Sequence, residues 1–352
     1  MSPDDPLVLS IDAMGGDYAP DSVLEGLALI ANEGYNLRFL LHGDAEKLQP
    51  FLNTHEALSA ITELRHSDKA IAMDAKPSQA VRSGKGSSMW NTLAAVKAGD
   101  ASVAVSAGNT GALMAMSKLV LRTVKGVHRP AIAASWPNPE GGFSVVLDVG
   151  ANIEADAEQL VEFAIMGEAF SRAVHGRERP RVGLLNIGSE ELKGVDSVRA
   201  ANDLLRGDGL SMNYIGFVEG NDISMGTADV IVTDGYTGNI ALKTAEGTAR
   251  LVSGFVKDAL TSSLMSKLGA LLAKGGLETL RSKMDPRSVN GGVFLGLNGV
   301  VLKSHGGTDA TGFATTVRLA RQLGRSAFAE DIAANLKRLE TLQGVQEEQS
   351  AQ

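Results

Sequence analysis

The sequence predicts an α/β protein, a mostly parallel β-sheet flanked by helices. Three observations carry that prediction. Short apolar runs of strand length alternate with longer helical patterns, and several of the runs end directly in small polar loops that contain glycine. The chain also holds 40 glycines while aromatic residues make up only 5% of it, a composition suited to many tight strand-to-helix turns.

The first run, Leu7-Val8-Leu9-Ser10-Ile11, breaks into Asp12-Ala13-Met14-Gly15-Gly16-Asp17, and a helical pattern starts at Asp21. This order reads as buried strand, loop and helix start. Two adjacent glycines there let the backbone approach a ligand at the carboxyl end of a strand, where open α/β sheets bind one. A tight first turn, with Asp17 helping to start the helix, is the competing explanation. Further strand-like runs cover 37–41, 102–106, 144–149, 181–187, 213–218 and 229–233, with helical stretches such as 157–174 and 195–205 between them. No Pro, Gly or Ser-rich linker divides the chain. Residues 1–342 are therefore expected to form a single α/β domain, with 343–352 as a flexible polar tail.

Bulk properties narrow the function. With 352 residues, 44% hydrophobic and 21% charged, the chain is long enough for a large core and ordinary for a globular enzyme. It contains no cysteine, which removes disulfides, thiol nucleophiles and thiolate-ligated metals and fits a reducing, cytoplasmic setting. A net charge of −8 argues against nucleic acid as the main partner. No apolar run reaches the roughly 18 residues of a spanning helix, and the histidines lack metal-ligand spacing. Neither a metal nor a cofactor is expected.

Two pairs of internal echoes stand out. Val103 to Gly111 (VAVSAGNTG) matches Val230 to Gly238 (VIVTDGYTG), and Leu147-Asp148-Val149-Gly150-Ala151-Asn152 matches Leu185-Asn186-Ile187-Gly188-Ser189-Glu190. In a parallel sheet such strand ends share one rim, so these four loops and the opening motif are expected to line one cleft. A strand-Gly-Thr-Gly-helix junction aims backbone N–H groups and a helix N-terminus at one point and favours an anion such as phosphate. Neither GxxxxGK[ST] nor GxGxxG follows a strand, and no GxSxG occurs, so nucleotide sites and a nucleophile elbow are without support.

Cations near these loops are candidates to hold the anion: Lys193 after the fourth loop, Arg82 and Lys85 in a Gly and Ser-rich stretch, and Arg129 before Pro130. Each is also readable as ordinary surface charge. Asn239, directly after Thr237-Gly238, is placed to donate its amide to an oxyanion or to cap a helix. His305 lies four residues before Asp309, a spacing that fits a general base or, equally, a backbone contact beside a capping aspartate.

In order along the chain, the blocks Asp12 to Asp17, Ser106 to Ala112, Leu147 to Asn152, Leu184 to Gly188 with Lys193-Gly194, Thr233 to Asn239 and His305-Gly306 closely resemble the PlsX family of bacterial acyl-(acyl carrier protein):phosphate acyltransferases. The resemblance implies a homodimeric fold similar to the isocitrate/isopropylmalate dehydrogenases and phosphotransacetylase. It implies transfer of a fatty acyl group from acyl carrier protein to inorganic phosphate, giving acyl phosphate for a membrane glycerol-3-phosphate acyltransferase of phospholipid synthesis. Lys193 and Asn239 match the family's catalytic pair. Gly15, Gly16, Gly108, Asn109, Thr110, Gly111, Asn152, Gly188, Thr237, Gly238 and His305 are the corresponding candidates for binding phosphate and substrate. Gly306-Gly307-Thr308 is more glycine-rich than the family's usual stretch, which leaves His305 without a firm role.

One segment opposes the overall charge. Residues 255–287 hold six Lys and Arg against three Asp and Glu, and Phe255, Leu264, Leu268 and Leu271 recur at helical spacing with Lys267 and Lys274 beside them. Such a helix usually packs on its own core. It is also suited to dock the acidic carrier protein, or to rest on the anionic inner face of a membrane. Three alternatives to the main reading remain at this point: a phosphate acetyltransferase using coenzyme A, a decarboxylating dehydrogenase, and a non-catalytic scaffold for carrier or membrane.

Overall fold

The computed structural model describes residues 5–207, 210–283 and 290–326, together with residues 328, 331, 332 and 334. The expected tail at 343–352, and Asp285 and Arg287 of the basic segment, lie outside the described residues. The strands are β1 (Leu7–Asp12), β2 (Leu37–Gly43), β3 (Thr62–His66), β4 (Val103–Ser106), β5 (Ala131–Pro137) and β6 (Phe143–Leu147). They continue as β7 (Arg181–Leu185), β8 (Asn213–Val218), β9 (Val230–Val232), β10 (Gly292–Leu295) and β11 (Val300–Lys303). The helices are α1 (Asp21–Ala31), α2 (Ala45–Thr54), α3 (Glu56–Ser59), α4 (Pro77–Ser83), α5 (Ser88–Ala98), α6 (Thr110–Val120) and α7 (Ala157–His175). After them come α8 (Asp196–Arg206), α9 (Asp222–Met225), α10 (Gly235–Thr261), α11 (Leu264–Leu272), α12 (Lys274–Lys283) and α13 (Ala310–Gly324).

All eleven strands form one sheet in the order β3-β2-β1-β4-β11-β10-β5-β6-β9-β7-β8. Period-two alternation of buried residues explains its two layers. Leu7, Leu9 and Ile11 of β1, Val103 and Val105 of β4, and Val230 and Val232 of β9 face one core with α1, α7 and α13. Ala104, Ile231, Val146 and Phe294 face the other, where α6 packs through Leu113 and Met116 and α10 through Ala241, Leu242 and Ala245. Because both faces are covered, the strands read in sequence as nearly continuous apolar runs.

The sheet reverses direction within its centre, and this corrects one expectation. β1, β4 and β11 run parallel, but β10 is antiparallel to β11, β5 to β10 and β6 to β5. Three reversals leave β6, β9 and β7, parallel among themselves, pointing opposite to β1 and β4. The glycine loops thus do not share one rim. Those after β1 and β4 lie at one edge with the end of β11, and those after β6, β9 and β7 lie at the other.

The basic segment does not pack on the core. α11 has no buried residue, and Leu264 is 85% exposed, with Phe255, Leu268, Leu271 and Leu272 also exposed. Packing of α11 and α12 is chiefly against α10 and each other. Among the described residues, no helix is long and apolar enough to cross a membrane.

Candidate active site

At the edge formed by β1, β4 and β11, the loops approach so closely that side chains are excluded. A Cβ at Gly15 would lie 2.7 Å from the Gly108 nitrogen, and Gly16 takes φ +117°. Asp12 is buried here. The Ser106 hydroxyl donates to its Oδ2 at 2.7 Å, and the Gly108 N–H donates to Ser106 Oγ at 3.0 Å. Burial pushes the Asp12 pKa up, with hydrogen bonds from Ser88 and Ser106 opposing the shift. Asn109 caps α6: its Oδ1 accepts from the Ala112 N–H at 2.8 Å while its Nδ2 donates to the Met73 and Ala75 carbonyls. Both ends of that amide are thereby engaged in structure, whereas Thr110 beside it is exposed.

Lys303, at the end of β11, was not singled out from the sequence. Burial lowers its pKa to about 8, against the opposing attraction of Asp17 and Asp12, and its Nζ donates to the Ala107 carbonyl at 3.2 Å. The signal was present: a lysine closes the apolar run Val300-Val301-Leu302 one residue before Ser304-His305. His305 is exposed; its pKa is lowered by partial burial and then by Lys243 of α10. Asp309 Oδ1 accepts from the Gly312 N–H at 2.9 Å as the cap of α13, and His305 Nδ1 accepts from the Gly307 N–H at 3.3 Å.

At the opposite edge the loop after β6 wraps round a carboxylate of its own. Asp148 accepts from the N–H groups of Ile132, Gly150, Ala151 and Asn152 and from the Asn152 side chain, at 2.7 to 3.1 Å. The N–H groups that the sequence suggested for phosphate are therefore already paired in this loop, as is the Asn152 amide, which also donates to the Pro130 carbonyl at 2.9 Å. The loop after β9 does likewise: the Thr237 N–H and hydroxyl donate to Asp234 at 2.8 Å, capping α10. Gly238 is buried against the Asp148 carbonyl.

Asn239 follows on the first turn of α10. It is exposed, and among the described residues its amide makes no hydrogen bond; Asp234, not Asn239, is the cap. A Cβ on Gly150 would lie 3.6 Å from its Cγ, so the two loops touch there. Lys193, in the loop after the adjacent strand β7, pairs with Glu190 at 2.7 Å, and this partner raises its pKa. The two side chains fold over Gly188, where a Cβ would come within 3.0 Å of Lys193 Nζ. The structure thus gathers Lys193, Asn239, Asn152, Gly188, Thr237 and Gly238 at one edge. Gly15, Gly16, Gly108, Asn109, Thr110, Gly111 and His305 are at the other. α10 rises between the groups, since its Lys243 acts electrostatically on both Lys303 and His305.

This architecture is that of the phosphotransacetylase fold. A phosphotransacetylase from Streptococcus pyogenes superposes with a TM-score of 0.62 over 91% of this chain and 94% of its own, at 16% identity. A 4-hydroxythreonine-4-phosphate dehydrogenase from Klebsiella pneumoniae does so at 0.52 over 93% and 100%, at 15% identity. Residues 7–331 match the family described as "Fatty acid synthesis protein". The "Phosphate acyltransferase" of Maricaulis maris is 59% identical over 93% of this chain and 94% of its own length, and that of Caulobacter vibrioides is 57% identical over 95% and 92%. The chain belongs to this family of enzymes.

Proposed function

We propose that the enzyme transfers a fatty acyl group from acyl carrier protein to inorganic phosphate, yielding the acyl phosphate consumed by a glycerol-3-phosphate acyltransferase in phospholipid synthesis. The observation that carries this reading is the 59% identity, over nearly the whole chain, to a relative named for phosphate acyl transfer. The free amide of Asn239, one loop away from Lys193, supports it further.

A large share of inorganic phosphate is already dianionic near neutral pH, so its oxygen attacks the thioester carbonyl without a strong general base. The new C–O bond forms, a tetrahedral oxyanion develops, the C–S bond breaks, and the proton remaining on phosphate balances the leaving thiolate. Catalysis then rests on positioning and on stabilising the oxyanion. Asn239 Nδ2 donates to that oxyanion, and Lys193, once released from Glu190, faces the phosphate or the carbonyl. The glycine loops shape the walls of the site. The protein acts as a homodimer on the cytoplasmic side of the inner membrane. Phe255, Leu264, Leu268 and Leu271, with Lys267 and Lys274, supply the surface for the acidic carrier and for peripheral contact with anionic lipid.

The test is incubation with an acyl carrier protein thioester and phosphate, trapping acyl phosphate with hydroxylamine. Phosphate-dependent hydroxamate is the expected result, and Asn239→Ala should lower kcat about 100-fold or more, the usual cost of an oxyanion donor. Turnover with acetyl-coenzyme A but not the carrier thioester would assign the enzyme to acetyl transfer. Carrier binding without acyl phosphate would make it a scaffold.

A further inference from the structure

The loop whose Gly150 approaches Asn239 also borders a cavity of about 220 Å³ lined by Met114, Lys118, Arg129, Pro130, Ala151 and Asn152. Two of these residues are cationic and none is acidic. Among the described residues, neither Lys118 nor Arg129 has an ion pair, whereas other arginines, such as Arg65, Arg172, Arg181 and Arg206, are paired with carboxylates. The nearest carboxylate in the lining loop, Asp148, is buried and turned inward onto its N–H donors.

The frame round the cavity is fixed. The Pro130 carbonyl, next to Arg129, accepts from Asn152 Nδ2 at 2.9 Å, and the Ile132 N–H donates to Asp148 Oδ1 at 3.0 Å. Arg129 is thereby anchored to the same loop whose Gly150 touches Asn239, while Lys118 comes in from the third turn of α6. An arginine and a lysine, both exposed and both on the lining of one small cavity, suit it to a tetrahedral oxyanion. The backbone donors of the adjoining loop are already paired, so these side chains supply the charge.

We infer that Lys118 and Arg129 form a binding site for a phosphate group next to Asn239. Resting on the proposed acyl transfer, the site takes either the acceptor phosphate itself or the phosphate of the carrier's prosthetic arm. Both present terminal oxygens of a tetrahedral phosphate to the same cations, inorganic phosphate as a mono- or dianion and the arm as a phosphodiester monoanion.

The full-length protein and its Lys118→Gln, Arg129→Gln and doubly substituted variants are titrated calorimetrically with inorganic phosphate and, separately, with 4′-phosphopantetheine. Binding of one probe should weaken about tenfold or more per cation lost, with partial recovery in Arg129→Lys. In turnover, a raised KM for phosphate alone identifies the acceptor, and a raised KM for the carrier thioester alone identifies the arm. Binding of both probes unchanged in the double variant, or absent from the parent, overturns the site whatever the activity. Binding lost in the double variant of a protein that forms no acyl phosphate retains the site and overturns the reaction instead.

Discussion

Asp148 illustrates how one side chain turns a glycine loop from a ligand cradle into a rigid wall. Its carboxylate gathers four backbone N–H groups and the Asn152 amide; burial pushes its pKa up, and those donors offset the rise only in part. Removing the carboxylate strands several buried donors at once, each costing about 1–3 kcal/mol when left unsatisfied. Asp148→Ala should therefore destabilise the fold by at least about 3 kcal/mol in urea unfolding, and Asp148→Asn, which keeps one acceptor oxygen, by less. Equal stability of both variants and the parent would contradict this account. The sequence does not disclose the arrangement, because an aspartate before glycine reads equally as donor partner, ligand or cap. Lys303 was hidden for a related reason: a lysine at the end of an apolar strand resembles surface charge until β4 and its loop bury it.

At the scale of elements, the long apolar runs were legible because both faces of the sheet are covered. Other strands were not. β3 (Thr62–His66, TELRH) pairs with β2 at the sheet edge and carries mostly polar residues, and β5, β10 and β11, between which the sheet reverses, were not among the expected runs either. Helix caps followed local chemistry, as in the Asp156 and Gln159 capping box of α7. The amphipathic stretch after Phe255 was legible as a helix, but its partner was not, since an apolar stripe looks the same whether it meets a core or something outside it. The exposed leucines of α11 separate the two cases. Leu268→Glu with Leu271→Glu should leave thermal stability within about 0.5 kcal/mol of the parent, as expected for surface positions. The same variant should lose co-sedimentation with vesicles rich in anionic lipid. Marked destabilisation would indicate core packing, and unchanged sedimentation would remove α11 from the membrane contact.

For the whole molecule, the decisive feature is the reversal between β4 and β6, which no local pattern encodes: β5, absent from the expected strand runs, pairs antiparallel with both neighbours. The reversal splits the recognised motifs between two edges and leaves α10 to connect them. A sheet covered on both faces also buries titratable groups, and these tie global stability to pH. His42 on β2 is buried, and among the described residues neither of its ring nitrogens has a hydrogen-bond partner. Desolvation, with help from Arg65 and against Glu63 and Asp100, lowers its pKa from 6.5 to about 4. The folded state therefore resists protonation that the unfolded chain accepts, so stability present above pH 6.5 is lost as the pH falls toward 4. At about 1.4 kcal/mol per pKa unit the loss from this group reaches roughly 3 kcal/mol, a large part of a typical net stability. Buried carboxylates whose pKa values are raised, Glu162 and Glu168 among them, act in the opposite sense over part of the same range. The parent's total slope thus mixes signs, whereas its difference from His42→Leu isolates the histidine. Urea unfolding at pH 7.5 and pH 4.5 should show the variant gaining up to about 3 kcal/mol relative to the parent on acidification. Parallel pH dependences would mean that His42 is solvated in the native protein and that the β2 side of the sheet is more open than its packing indicates.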